Sequence, residues 1–161
     1  MKVLYLHGLE SPQGGAKVEF LSANAMVHAP AMDYFKTNWS IDKLIDLVDS
    51  CNPDLIIGSS MGGYLADIIG SFTGIEVLLF NPALHSRSFI DFNLTYGKEG
   101  YKRTIVLGEN DDVINPIRTK ELVGDTANII DIAGMGHRTD LNVFKAIYSK
   151  YVKDETSEDT F

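Results

Sequence analysis

The sequence predicts a doubly wound α/β fold, with a parallel β-sheet covered by helices on both faces. Three observations predict it. Six short segments are almost continuously apolar, as strands buried on both faces must be. Stretches with apolar residues at helical spacing alternate with them from end to end. The apolar run Leu55-Ile56-Ile57 feeds Gly58-Ser59-Ser60-Met61-Gly62 and then another helical stretch, a strand–turn–helix unit.

Lys2–Leu6 reads as the first strand, followed by a loop over residues 7–15 and a short helix over 17–25. Residues 26–29 form a brief second strand, and 33–40 a loop carrying Tyr34, Phe35 and Trp39. Ser40 is a fitting N-cap for a helix over 41–50, where Ile41, Leu44, Ile45 and Val48 recur at helical spacing. Pro53 turns the chain into a third strand over 54–58, and a helix over 61–72 follows. Glu76–Phe80 is the fourth strand and ends at Asn81-Pro82. Residues 83–102, with Gly97 and Gly100, are irregular. The fifth strand covers 104–107. Pro116–Val123 is helical with proline in its first turn, Asn128–Ile132 is the sixth strand, and 141–151 is the last helix. Length and the absence of a linker predict one domain over 1–153. The acidic, hydroxyl-rich tail over 154–161 is expected to be disordered.

The net charge of −8 argues against nucleic acid or an anionic membrane surface as a partner. No apolar run is long enough to span a bilayer, and Val3-Leu4-Tyr5-Leu6 is too short for a signal peptide. The single cysteine, Cys51, excludes an intramolecular disulfide and fits a reducing compartment, so a cytoplasmic protein is expected. The histidines are scattered without metal-ligand spacing, and Gly14-Gly15 completes neither a dinucleotide fingerprint nor a phosphate loop. No metal and no cofactor are predicted.

The chemistry centres on Ser60. In a tight strand-to-helix turn its Oγ projects from the sheet edge, and side chains at Gly58 or Gly62 would collide with the neighbouring elements. A serine is a weak nucleophile until a base stands within hydrogen-bond reach, and that base is usually a histidine oriented by a carboxylate. In an open parallel sheet, reactive residues come from loops after the strands. The loop after the fifth strand holds Glu109, Asp111 and Asp112, and the loop after the sixth holds His137. His137 is the candidate base. Asp111 and Asp112 are the candidates for the acid. Ser59 is expected to face the fold. His7 is read as structural, and His28 and His85 as loop-edge histidines, His85 being close enough to the fourth strand's end to line a pocket.

Four motifs in this order resemble the α/β-hydrolase superfamily: Tyr5-Leu6-His7-Gly8, Gly58–Gly62, Gly108-Glu109-Asn110-Asp111, and Gly134–His137. The short chain, its opening motif and Phe80-Asn81-Pro82-Ala83 are similar to the small YqiA/YcfP-like esterases. The resemblance implies a reduced three-layer sandwich with strand order 2-1-3-4-5-6, lacking two strands that usually precede the first, with little or no cap. It also implies an oxyanion hole from the backbone N–H groups of Leu9 and Met61. Leu9, Met61, Trp39 and His85 are the expected substrate-binding residues. The activity implied is hydrolysis of carboxylic esters or thioesters of small to medium acyl groups through Ser60, His137 and Asp111. The competing reading is a catalytically weak protein of this fold that binds a small hydrophobic ligand.

Overall fold

The computed structural model describes residues 1–37, 39–85 and 100–158. Its strands are β1 Lys2–Leu6, β2 Met26–His28, β3 Leu55–Ser59, β4 Glu76–Phe80, β5 Arg103–Gly108 and β6 Asn128–Ile132. They pair in the order β2-β1-β3-β4-β5-β6, every neighbour parallel. The helices are α1 Ala16–Ser22, α2 Ile41–Cys51, α3 Met61–Thr73, α4 Pro116–Val123 and α5 Leu141–Glu158.

Alternate residues of each strand enter opposite apolar layers, as the two-residue period of a strand requires. Leu4, Leu6, Ile56, Leu79, Ile105 and Leu107 meet Leu44 and Val48 of α2, Leu65 and Ile68 of α3, and Val123 of α4. Val3, Tyr5, Ile57, Leu78, Phe80 and Val106 meet Leu21 of α1 and Phe144, Tyr148 and Tyr151 of α5. β3 is sandwiched between β1 and β4 in the sheet, so α3 is buried along most of its length. Winding reverses between β1 and β3, and the residue after β3 sits at that switch point.

The helix ends follow the local signals. Ser40 Oγ accepts the Lys43 N–H at 3.4 Å, and Asn115 Oδ1 accepts the N–H groups of Ile117 and Arg118. α5 continues past 151 to Glu158, beyond the helix predicted over 141–151. Tyr151 and Val152 pack on the second layer, and the Tyr151 hydroxyl donates to Glu76 at 2.7 Å, which fastens this last part of the helix to β4. Residues 159–161 and 86–99 lie outside the described residues, and most of the irregular stretch expected over 83–102 falls there.

One charged cluster lies within the layers. Asp67 of α3 is buried, accepts the Tyr101 hydroxyl at 2.6 Å, and pairs with Arg103 of β5 at 3.2 Å. Burial pushes its carboxyl above the usual range, and the Arg103 guanidinium pulls the other way.

Candidate active site

Five loops meet at the carboxyl end of the sheet, following β1, β3, β4, β5 and β6. The turn after β3 holds Ser60 at φ 52° and ψ −114°, a backbone conformation that costs a non-glycine residue about 1–3 kcal/mol. Hydrogen bonds hold it there: Ser60 N–H donates to the Phe80 carbonyl at 2.9 Å, and the Ser60 carbonyl accepts the Ala83 N–H at 3.0 Å. A Cβ at Gly58 would stand 2.5 Å from the Gly62 carbonyl, and one at Gly62 would overlap the Leu6 carbonyl. Both positions must therefore be glycine for the turn to close.

The histidine reaches across to this turn. His137 Nε2 is 3.0 Å from Ser60 Oγ, and Nδ1 is 2.9 Å from Asp111 Oδ2. With a carboxylate at Nδ1, the proton belongs on Nδ1, and Nε2 offers its lone pair to the serine hydroxyl. The Asp111 side chain is almost fully buried, and its Oδ1 accepts the N–H groups of Val113 at 2.9 Å and Ile114 at 2.8 Å. Both oxygens are thereby committed and the carboxylate cannot rotate away from the imidazole. Asp112 and Glu109 are exposed. Ser59 is half-buried and lines the same cavity as Ser60, so the expectation that it faces the fold is corrected; its neighbour is the serine that meets His137.

Asn81 is the residue that sequence reasoning left without a role. It is buried at the end of β4, with φ 43°. Its Nδ2 donates to the carbonyls of Gly136 at 3.1 Å and His137 at 2.8 Å, and its Oδ1 accepts the Gly108 N–H at 2.8 Å. One amide thus fastens the histidine loop to the root of the acid loop, while the residues on either side of Asn81-Pro82 bracket Ser60. No hydrophobic substitute can satisfy all three partners. Asn81→Ala should lower turnover by about 10²-fold through misplacement of His137, measured per folded molecule after a denaturation curve. Turnover within twofold of wild type would mean that the loop holds its geometry without the amide.

Leu9 and Met61 both line the cavity, and neither N–H has a backbone acceptor among the described residues. Met61 opens α3, where the first N–H groups have no acceptor within the helix. Gly8 presses close on Ser60, a Cβ there standing 3.4 Å from the serine Cβ. His7 braces this segment. Its Nδ1–H donates to the Gly8 carbonyl at 2.7 Å, its Nε2 accepts the Met32 N–H at 3.0 Å, and the Tyr34 hydroxyl donates to its carbonyl.

The cavity above Ser60 measures about 610 Å³. Leu9, Met61, Ala83, Val113 and Ile114 supply apolar wall, and Glu10, Lys17 and Arg138 supply charge. Two expected lining residues are absent from it. Trp39 packs half-buried against the first apolar layer, its indole N–H donating to the Asp33 carbonyl at 3.3 Å. His85 turns toward α4, its Nε2 lying 3.1 Å from the Asn115 carbonyl. The walls that replace them, Val113, Ile114 and Lys17, follow from the tight Asp111 turn and the approach of α1. Among the described residues, no three His, Cys, Asp or Glu side chains gather to hold a metal, and no helix is long and apolar enough to cross a membrane.

A parallel sheet in this order, with a strained serine at the switch point and loops after β5 and β6 folding over it, defines the α/β-hydrolase fold. The chain belongs to the uncharacterised protein family UPF0227, whose sequence profile matches residues 2–113. A UPF0227 protein of Vibrio parahaemolyticus is 33% identical over 93 residues, which are 52% of this chain and 51% of that relative. A UPF0227 protein of Shewanella woodyi is 29% identical over 92 residues. The chain thus spans about half the length of the curated relatives it matches. Among solved structures, an α/β-superfamily protein from Xanthomonas campestris pv. campestris superposes with a TM-score of 0.74 at 15% identity, over 95% of this chain and 97% of that one. Est1E from Butyrivibrio proteoclasticus gives 0.67 at 13% identity, over 97% and 88%.

Proposed function

We propose that this chain is a serine hydrolase of carboxylic esters or thioesters with small to medium acyl groups. The observation that carries the reading is the continuous relay from Asp111 through His137 to Ser60, with contacts of 2.9 and 3.0 Å. Ser60 Oγ attacks the carbonyl carbon while its proton passes to His137 Nε2. Asp111 stabilises the imidazolium that forms. The N–H groups of Leu9 and Met61 receive the developing oxyanion. Collapse of the tetrahedral intermediate breaks the bond to the leaving group, which takes the proton from His137 and departs as alcohol or thiol. Water, deprotonated by His137, then cleaves the acyl-enzyme and regenerates Ser60. The cavity of about 610 Å³, with its short apolar wall, suits modest acyl groups. A chain with one cysteine suits a reducing, cytoplasmic setting. Esterase PE8, a solved structure of similar fold, superposes with a TM-score of 0.65 at 14% identity.

A fluorophosphonate probe tests the reading. Rapid modification at Ser60, mapped by peptide mass spectrometry and abolished by denaturation, is expected. No modification, with the protein folded, would replace the hydrolase reading by that of a binding protein.

A further inference from the structure

Among the charges in the cavity wall that take no part in the relay, Lys17 stands apart. The charged or titratable lining residues are Glu10, Lys17, His137 and Arg138. His137 is engaged by Asp111, and Glu10 and Arg138 face each other at 3.8 Å on an exposed rim. Lys17, near the start of α1, is half-buried and has no carboxylate within ion-pair distance among the described residues. Its Nζ stands 5.4 Å from the ring centroid of Phe144, a residue with no exposed surface. A ring face returns only part of the hydration an ammonium loses on burial. Burial accordingly lowers the proton affinity of Lys17 below that of a free lysine, and exposed Asp140, which also accepts the Asn142 N–H at the start of α5, opposes that effect.

A partly desolvated cation in the wall of the cavity that holds Ser60 is stabilised by an arriving anion. The chain's net charge of −8 gives such an anion no long-range attraction, so its retention must come from local contact. The apolar side chains of Leu9, Met61, Ala83, Val113 and Ile114 in the same wall offer a charged substituent no partner. Resting on the hydrolase reading above, we infer that Lys17 is a specificity-determining residue that binds an anionic group, a carboxylate or a phosphate, carried by the ester or thioester. The substrate then has one modest apolar part and one charged part. Lys17 is the contact for the charged part.

Matched substrates test this. On the acyl side, the para-nitrophenyl half-ester of adipate is compared with para-nitrophenyl 6-oxoheptanoate, which is of like shape and neutral. On the alcohol side, the acetyl ester of para-hydroxybenzoate is compared with that of para-hydroxybenzamide. In wild type, the charged member of at least one pair should have the higher kcat/KM at low ionic strength, and the pair that shows it says which part of the substrate carries the charge. Lys17→Gln should reduce that charged-to-neutral ratio by about tenfold, the loss of a charge-assisted contact. Lys17→Arg should keep most of it, and Asp140→Asn, which removes the opposing charge, should raise it. A ratio unchanged by Lys17→Gln, or no preference in wild type, overturns the inference.

Binding without turnover separates the two readings. Amide shifts of Ser60→Ala are followed by NMR during titration with butyrate and with inorganic phosphate. Shifts around residue 17, weakened by Lys17→Gln, support the anion site even where the fluorophosphonate probe fails to react. Absence of shifts with both anions overturns it, even where wild type hydrolyses neutral esters.

Discussion

Ser60→Ala is expected to lower turnover of an activated ester by about 10⁶-fold, to the level that binding and the oxyanion site alone provide. The variant removes one hydroxyl that lies half-exposed at the cavity floor and touches His137, and it leaves the backbone bonds of the turn in place. Alanine has the same difficulty as serine at φ 52°, so the fold should keep its stability within a few tenths of a kcal/mol. Ser60→Gly should be equally inactive and yet more stable, by roughly 1 kcal/mol, because glycine adopts that conformation without strain. His137→Ala should lose nearly as much activity as Ser60→Ala, and the double variant little more, since the two act as a unit. Steady-state rates on a preparation free of contaminating esterase, with urea denaturation alongside, check all four. Near-wild-type turnover by Ser60→Ala would remove Ser60 from the chemistry. A destabilised Ser60→Gly would mean that the serine side chain, rather than the turn, holds the conformation.

Asp111→Asn is expected to cost about 10³–10⁴-fold in kcat with little change in KM. The reason lies in how the carboxylate is committed. Oδ1 accepts two backbone N–H groups, so the oxygen of an asparagine must occupy that position and its NH₂ must face His137. The imidazole can then only accept at Nδ1, which places its proton on Nε2, facing Ser60. A base that already carries the proton it should receive cannot activate the hydroxyl. Asp112→Asn changes an exposed carboxylate and should alter kcat less than twofold. If the ranking of the two variants were reversed, the acid's role would pass to Asp112.

The candidate groups Ser60, Asp111 and His137 were legible in the sequence because each follows a strand and carries a short turn motif. The spacing of Ser60, Asp111 and His137 needed only strand–helix units between them, and the structure brings the three together. Glycine was legible at Gly58 and Gly62 for a local reason, the closeness of strand and helix in the turn. Trp39 and His85 were misplaced because their positions depend on packing. Trp39 follows a loop whose path is set by Tyr34 bonding the His7 carbonyl, which turns the indole toward the core. Asn81 stood within a quoted motif, but its partners are more than fifty positions away for Gly136 and His137, so no local pattern announces its three bonds. Lys17 was read only as the start of a short helix, because its place over Phe144 of α5 depends on tertiary packing. The part of α5 past residue 151 was missed because its acidic, hydroxyl-rich composition read as a tail.

The all-parallel sheet has a kinetic consequence. Parallel neighbours cannot be joined by a hairpin, so every strand pair closes over a long loop, and such pairings form slowly. The serine turn can be shaped by β3, α3 and β4 alone. Its base arrives only when β6 docks on β5 and the amide of Asn81 captures the loop behind it. On the proposed reading, a chain emerging from the ribosome carries a formed but unactivated serine until residue 137 and the strand before it are in place. The proposed reactivity would then be the last property to be acquired, a signature of completed assembly that secondary structure content does not report.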